Sequence, residues 1–273
     1  MKFYLGTHQP HWLGDERFEG VPLFLSRRRL DRYRSMPAAV TDFALDSGGF
    51  TELQLFGKWS MTATEYADRV KRYVRAFGHR LVWCAPQDWI CEPIVLAGGP
   101  AGRGVVFAGT GLTVEEHQRR TVKNFLELRK LLGRRVIPVL QGWTMADYWR
   151  CIDRYRRAGV RLEDEATVGV GSVCRRQSTE EATTIMTTLA SDGLRLHGFG
   201  FKKGGLKNCQ HLMVSADSTS WSDVGRREIC LPDHDKPGPG RPKGHKNCAN
   251  CAEWALKWRS ELVSSLEDPR EAA

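Results

Sequence analysis

The chain has 273 residues, of which 41% are hydrophobic and 27% charged, with a formal net charge of +9 at pH 7. These are the proportions of an ordinary soluble globular protein; no apolar run approaches the ~18 residues of a membrane span and there is no secretory h-region, so the expected location is cytoplasmic, with no membrane partner. The Lys and Arg excess favours a polyanionic partner, because clustered cations release counterions from phosphates, and eight cysteines without a leader argue against a disulfide framework.

In chain order, short apolar runs predict strands at 3–8, 21–26, 43–48, 81–88, 136–143, 167–173, 194–201 and 212–217. Helical spacing predicts helices at 64–76, 113–132, 145–158 and 179–190, the second opening on a capping box between Thr113 and Glu116. Strands alternating with helices imply parallel pairing, and eight strands is the number a (β/α)8 TIM barrel needs. An open doubly wound sheet is the alternative, but no Gly-rich dinucleotide loop follows the first strand. Residues 92–110, rich in Gly, Ala and Pro, read as a loop that could cover a site. Residues 233–246, with Pro237-Gly238-Pro239-Gly240 and Pro242, read as another. The whole of 1–273 is expected to form one barrel domain.

Polar residues collect where the predicted strands end: Asp46-Ser47-Gly48-Gly49, Gln87-Asp88, Gln141-Gly142, Gly171-Ser172 and Asp217-Ser218. In a barrel these ends converge on the mouth where active sites are built. One strand-end aspartate is readily a helix cap. Three together suggest a nucleophile, a proton shuttle and an acceptor for substrate N–H groups. Gly48-Gly49 would let backbone approach a planar ligand, and Phe50 would give a base a face to stack on, worth roughly 1–3 kcal/mol.

Near the C-terminus, His245, Cys248 and Cys251 have two residues between successive members, a metal-knuckle pattern leading into a helix through Leu262. A closed tetrahedral zinc site needs a fourth ligand, for which Cys230 is favoured and His234 is next. The resulting site, within a zinc-binding insertion at about 228–262, would be structural, since four protein ligands leave no open position for water.

Five ordered segments carry a resemblance: Asp46-Ser47-Gly48-Gly49-Phe50, Ala85-Pro86-Gln87-Asp88, Pro138-Val139-Leu140-Gln141-Gly142, Val168-Gly169-Val170-Gly171-Ser172 and Ser215-Ala216-Asp217-Ser218. Together with the C-terminal cysteines they resemble the tRNA-guanine transglycosylase superfamily, and within it the phage-type DpdA-like enzymes that put 7-deazaguanines into DNA. The resemblance implies a zinc-containing barrel transferase that exchanges guanine for a base such as 7-cyano-7-deazaguanine by double displacement. Asp217 would be the nucleophile that forms a covalent sugar intermediate, and Asp46 the general acid/base. Asp88, Gln141, Gly169, Gly171 and Ser172 would bind the base edges, with Phe50 and His197 as the two sides of its slot. DNA is the expected partner and tRNA the alternative, and the resemblance allows a homodimer.

The pattern also departs from the familiar tRNA enzymes. Thr51 replaces a glutamine, His197 stands where methionine is common, and Asp217-Ser218-Thr219-Ser220-Trp221 is closer to the archaeal type. Two rivals from other classes are a non-catalytic, zinc-containing nucleic-acid-binding protein and a glycoside hydrolase using two of the aspartates.

Overall fold

The computed structural model describes residues 1–102, 104–238 and 243–267; Pro239, Gly240 and Pro242 of the second loop, and 268–273, lie outside the described residues. Ten strands follow in chain order: β1 (Lys2–Thr7), β2 (Leu23–Ser26), β3 (Phe43–Asp46), β4 (Leu81–Cys84), β5 (Gly99–Pro100), β6 (Val106–Phe107), β7 (Val139–Leu140), β8 (Val168–Val170), β9 (Leu196–Gly198) and β10 (Met213–Ser218). Eight form one sheet in the order β4-β3-β2-β1-β10-β9-β8-β7. Every pairing in it is parallel. These are the eight expected strands, most of them trimmed where polar strand ends leave the ladder. The stretch read as loop at 92–110 holds a short helix, Pro93–Ala97, and the antiparallel pair β5–β6.

Helices Ala63–Phe77, Val114–Leu132, Met145–Arg157 and Glu180–Ser191 lie in the crossovers. Each is capped by a threonine, Thr62, Thr113, Thr144 and Thr179, whose side chain accepts an amide of the first turn. The reciprocal box forms at Thr62–Glu65 and Thr144–Asp147. At the expected position only half of it is found: Thr113 accepts from the Glu116 amide at 3.2 Å, while the Glu116 carboxylate is engaged by Arg119 at 2.7 Å and Arg120 at 2.6 Å. Two charged donors outcompete a backbone amide for it.

Alternate strand residues enter different clusters. Phe3, Leu5, Leu23, Leu25, Phe43 and Leu45 join the large core shared with the helices. Tyr4, Phe24, Ala44, Trp83 and Ile137 meet on the other face. The sheet must curl strongly for this second cluster to exist. Trp83 on β4 and His197 on β9 are five strands apart in sheet order, about 24 Å on a flat sheet, yet their ring centroids are 4.7 Å apart. The two edges also approach: Cys84 forms a parallel bridge with Val136, and Ile137 donates its amide to the Cys84 carbonyl at 3.1 Å. This curl brings the C-terminal strand ends together.

The C-terminal helix, Ala252–Glu267, buries Trp254, Ala255 and Leu262; Trp254 donates to the Trp221 carbonyl at 2.9 Å, and Trp258 meets Phe3 on β1. Among the described residues no helix is long and apolar enough to cross a membrane.

Candidate active site

At the end of β3 the chain turns back on its own carboxylate. Gly48 takes φ 84°, a conformation open to glycine, and its amide donates to Asp46 Oδ2 at 3.0 Å. Helix Gly49–Phe56 starts at once. It begins with a second glycine because a Cβ at Gly49 would press on the Trp59 ring at 3.1 Å. Asp88 follows β4, Gln141 follows β7, Gly171 and Ser172 follow β8, and Asp217 lies near the end of β10.

These ends enclose one cavity of about 300 Å³, at the small end for ligand pockets and of a size for a single base. Asp46, Phe50, Asp88, Gln141, Gly171, Ser172 and Asp217 all line it. Gly169 and His197 are not among its lining. Gly169 sits beneath, where a Cβ would strike Phe199 at 2.5 Å. His197 is fully buried, its ring edge-on to Trp83 and Phe199 at 4.7 Å each. The expected slot wall at His197 is therefore taken by Phe199, with Phe24 beside it. Residue 197 points inward on its strand but one layer too deep to meet a ligand.

One side of the cavity is a connected polar relay. The Gln141 amide donates to Asp88 Oδ2, and its Oε1 accepts the Ser172 hydroxyl at 2.6 Å. Ser172 Oγ in turn accepts the Cys91 amide at 2.8 Å. Ser172 adopts φ 59°, unusual for a residue with a side chain, and these bonds hold it there. Gly171 has no room for more than hydrogen, since a Cβ would lie 2.2 Å from Gln141 Nε2. A planar ligand would thus meet acceptors and donors already fixed in place.

Electrostatics separate the carboxylates. Burial pushes Asp46 up to about 6; the Gly48 amide and Ser26 hydroxyl pull it back, and the Asp217 charge adds to the rise. Burial raises Asp88 further, to about 7, against the Gln141 bond and with the Asp46 charge adding. Asp217 is 4% exposed, and its Oδ1 accepts the Gly200 amide at 3.0 Å. Groups poised near neutrality beside a buried carboxylate are what proton transfer coupled to nucleophilic attack requires.

Sequence reasoning missed several lining residues, among them Phe24, Phe199, Glu92 and Cys174. Glu92 is a buried carboxylate held by Arg175 at 3.1 Å, and the Arg175 guanidinium lies 5.1 Å from the centroids of both Phe50 and Phe107. The signal for Glu92 was its place four residues after Asp88, at the start of the 92–110 segment. Trp221, near Asp217 in sequence, belongs to the core and donates to the Gly6 carbonyl at 2.7 Å.

A separate cluster near the C-terminus joins His234, His245, Cys248 and Cys251, whose ligand atoms all lie within 4.8 Å of one another. His234 Nδ1 is 3.5 Å from Cys251 Sγ and 4.0 Å from Cys248 Sγ. A tetrahedron with bonds of about 2.0–2.3 Å has donor separations near these values. The far nitrogen of His234 bonds Glu253 at 2.9 Å, the outer-shell carboxylate that orients a ligating imidazole. Cys230, the favoured fourth ligand from the sequence, is replaced in the cluster by His234. Its thiol turns to the Glu228 carbonyl at 3.6 Å, while its amide donates to Cys248 Sγ at 3.3 Å. The Cys230 side chain also stays within reach of Cys248.

The family described as DpdA, DeoxyPurine in DNA protein A, matches the chain over residues 1–272. No curated protein matches it. Among solved structures, the chain is similar to a Sinorhizobium meliloti protein described as an isomerase, in an open loop conformation, at 10% identity and a TM-score of 0.40. That match covers 80% of this chain and 50% of the other, so the chain spans half the length of that structure.

Proposed function

Because the chain belongs to the DpdA family, we propose that it exchanges guanine in DNA for a 7-deazaguanine by double displacement. The observation that carries this reading is one base-sized cavity in which Asp46, Asp88 and Asp217 face one another between Phe24, Phe50 and Phe199. We read the curled sheet as a closed (β/α)8 barrel within a single domain. The bridge between its edges and the inner cluster of alternating strand residues support that closure.

In the first displacement an Asp217 oxygen attacks C1′ of an extruded deoxyguanosine. The new O–C1′ bond forms as the C1′–N9 bond breaks, and guanine leaves with the bonding pair and a proton from Asp46. In the second, the Asp46 carboxylate takes the N9 proton of the incoming base. N9 then attacks C1′ and the Asp217 carboxylate is released. Two inversions retain configuration. Asp88 accepts the base N–H edge, while Gln141 and the Gly171–Ser172 backbone address its carbonyl side. Flipping the nucleotide costs a few kcal/mol, which stacking on Phe50 and Phe199 helps to offset.

The His234, His245, Cys248 and Cys251 donor set fits zinc. With four protein ligands the ion would act as a structural clamp for the C-terminal helix, away from the reacting atoms.

Nucleoside mass spectrometry after incubation with 7-cyano-7-deazaguanine and either duplex DNA or tRNA tests the reading. The expected result is a deazaguanine deoxynucleoside from DNA. Product from tRNA alone would transfer the chemistry to RNA. Tight DNA binding without exchange of any base, guanine included, would favour the non-catalytic binding protein.

A further inference from the structure

We propose that His197 and Ser215 form a positioning pair that immobilises one oxygen of Asp217 and leaves Oδ2 as the attacking atom. This inference rests on the reading of Asp217 as nucleophile and adds to it the device that aims the carboxylate. His197 is fully buried in a box of aromatic edges and faces: Trp83 and Phe199 at 4.7 Å, Phe24 at 5.8 Å and Tyr4 at 6.1 Å between centroids. Such a box gives an imidazole little freedom to turn. Its polar neighbours lie at its two nitrogens. Ser215 Oγ is 2.8 Å from Nδ1, and Asp217 Oδ1 is 3.3 Å from Nε2.

The tautomer follows from that arrangement. If the Ser215 hydroxyl donates to Nδ1, the ring proton sits on Nε2 and points toward the carboxylate. The opposite tautomer would set the Nε2 lone pair against an anionic oxygen inside an apolar box, leaving Nε2 without a donor. Nε2 completes no aligned hydrogen bond in the free protein, so the contact with Asp217 has room to tighten as charge moves. Asp217 Oδ1 also accepts the Gly200 amide at 3.0 Å. Oδ1 therefore faces two donors, whereas no hydrogen bond to Oδ2 is found among the described residues. Because Ser215, Asp217 and His197 sit on the paired strands β10 and β9, backbone pairing fixes the geometry.

The bond that forms is Oδ2–C1′ and the bond that breaks is C1′–N9. Oδ1 stays held by the Gly200 amide while the His197 contact tightens on it, which prevents the carboxylate from rotating out of line. Misplacing a reacting atom by an ångström can cost about 10²-fold in rate.

The test is the single-turnover rate of covalent protein–DNA adduct formation, measured beside the DNA dissociation constant. His197→Leu should slow adduct formation ~10²-fold with DNA affinity little changed. His197→Gln, which returns an N–H near the Nε2 position, should recover most of that loss. Ser215→Ala, which keeps the imidazole but frees its tautomer, should slow the step several-fold, and Ser215→Thr should restore it. Equal rates for His197→Leu and His197→Gln would reduce the residue to packing and overturn the pair, as would a wild-type rate in Ser215→Ala. A wild-type protein that forms no Asp217-dependent adduct would instead remove the reading on which the pair rests.

Discussion

Asp88 is a carboxylate held where its charge is least welcome, and this has a consequence for stability. Its folded pKa of about 7 lies above the ordinary carboxylate value, so the native state holds a proton that the unfolded chain has released. The penalty is absent below the unfolded pKa, grows as pH rises from about 4 to about 7, and is full above that. For a rise from about 4 to about 7 it is on the order of 4 kcal/mol. Asp88→Asn should therefore raise the denaturation midpoint at pH 8, by about 1–3 kcal/mol in stability, raise it by less at pH 5, and lose base exchange. Urea melts at the two pH values check this; a variant less stable than wild type at pH 8 would contradict it. Asp46, raised to about 6 for the same cause, adds to the slope in the same direction.

At the scale of elements, the strand ends were legible because buried parallel strands read as apolar runs and their polar stops mark the mouth. Asp46, Asp88, Gln141 and Asp217 could be found that way. Depth could not. His197 and Phe199 are two apart on the same side of the chain, and only the curl of the sheet decides that one lies under the cavity floor and the other on its wall. The C-terminal cluster illustrates a similar limit. His245, Cys248 and Cys251 have a local spacing, but the choice between Cys230 and His234 depends on how the intervening turns fold. Metal analysis separates the two: His234→Ala or Cys251→Ser should lower bound metal and the melting temperature, whereas Cys230→Ala should retain the metal because its thiol is not among the four clustered donors. Loss of zinc from Cys230→Ala with retention in His234→Ala would reverse the assignment.

For the whole molecule, eight parallel strands and their sequential order followed from the alternation of strand and helix, whereas how far the sheet's edges close on one another depends on long-range pairing. The net charge of +9 suits a polyanionic partner without selecting one. Family membership favours DNA, and the proposed reading places one base, turned out of its stack, in the cavity. In the proposed reaction, the cavity, the carboxylates and the partner meet in a covalent bond between Asp217 and deoxyribose. The most direct test is to incubate the protein with guanine-containing DNA without an incoming base, denature it, and map any protein–DNA adduct by peptide mass spectrometry. The account predicts a deoxyribose linked to Asp217, absent in Asp217→Asn, whose base exchange should fall by at least ~10³-fold. An adduct on another residue, or undiminished exchange in Asp217→Asn, would contradict it.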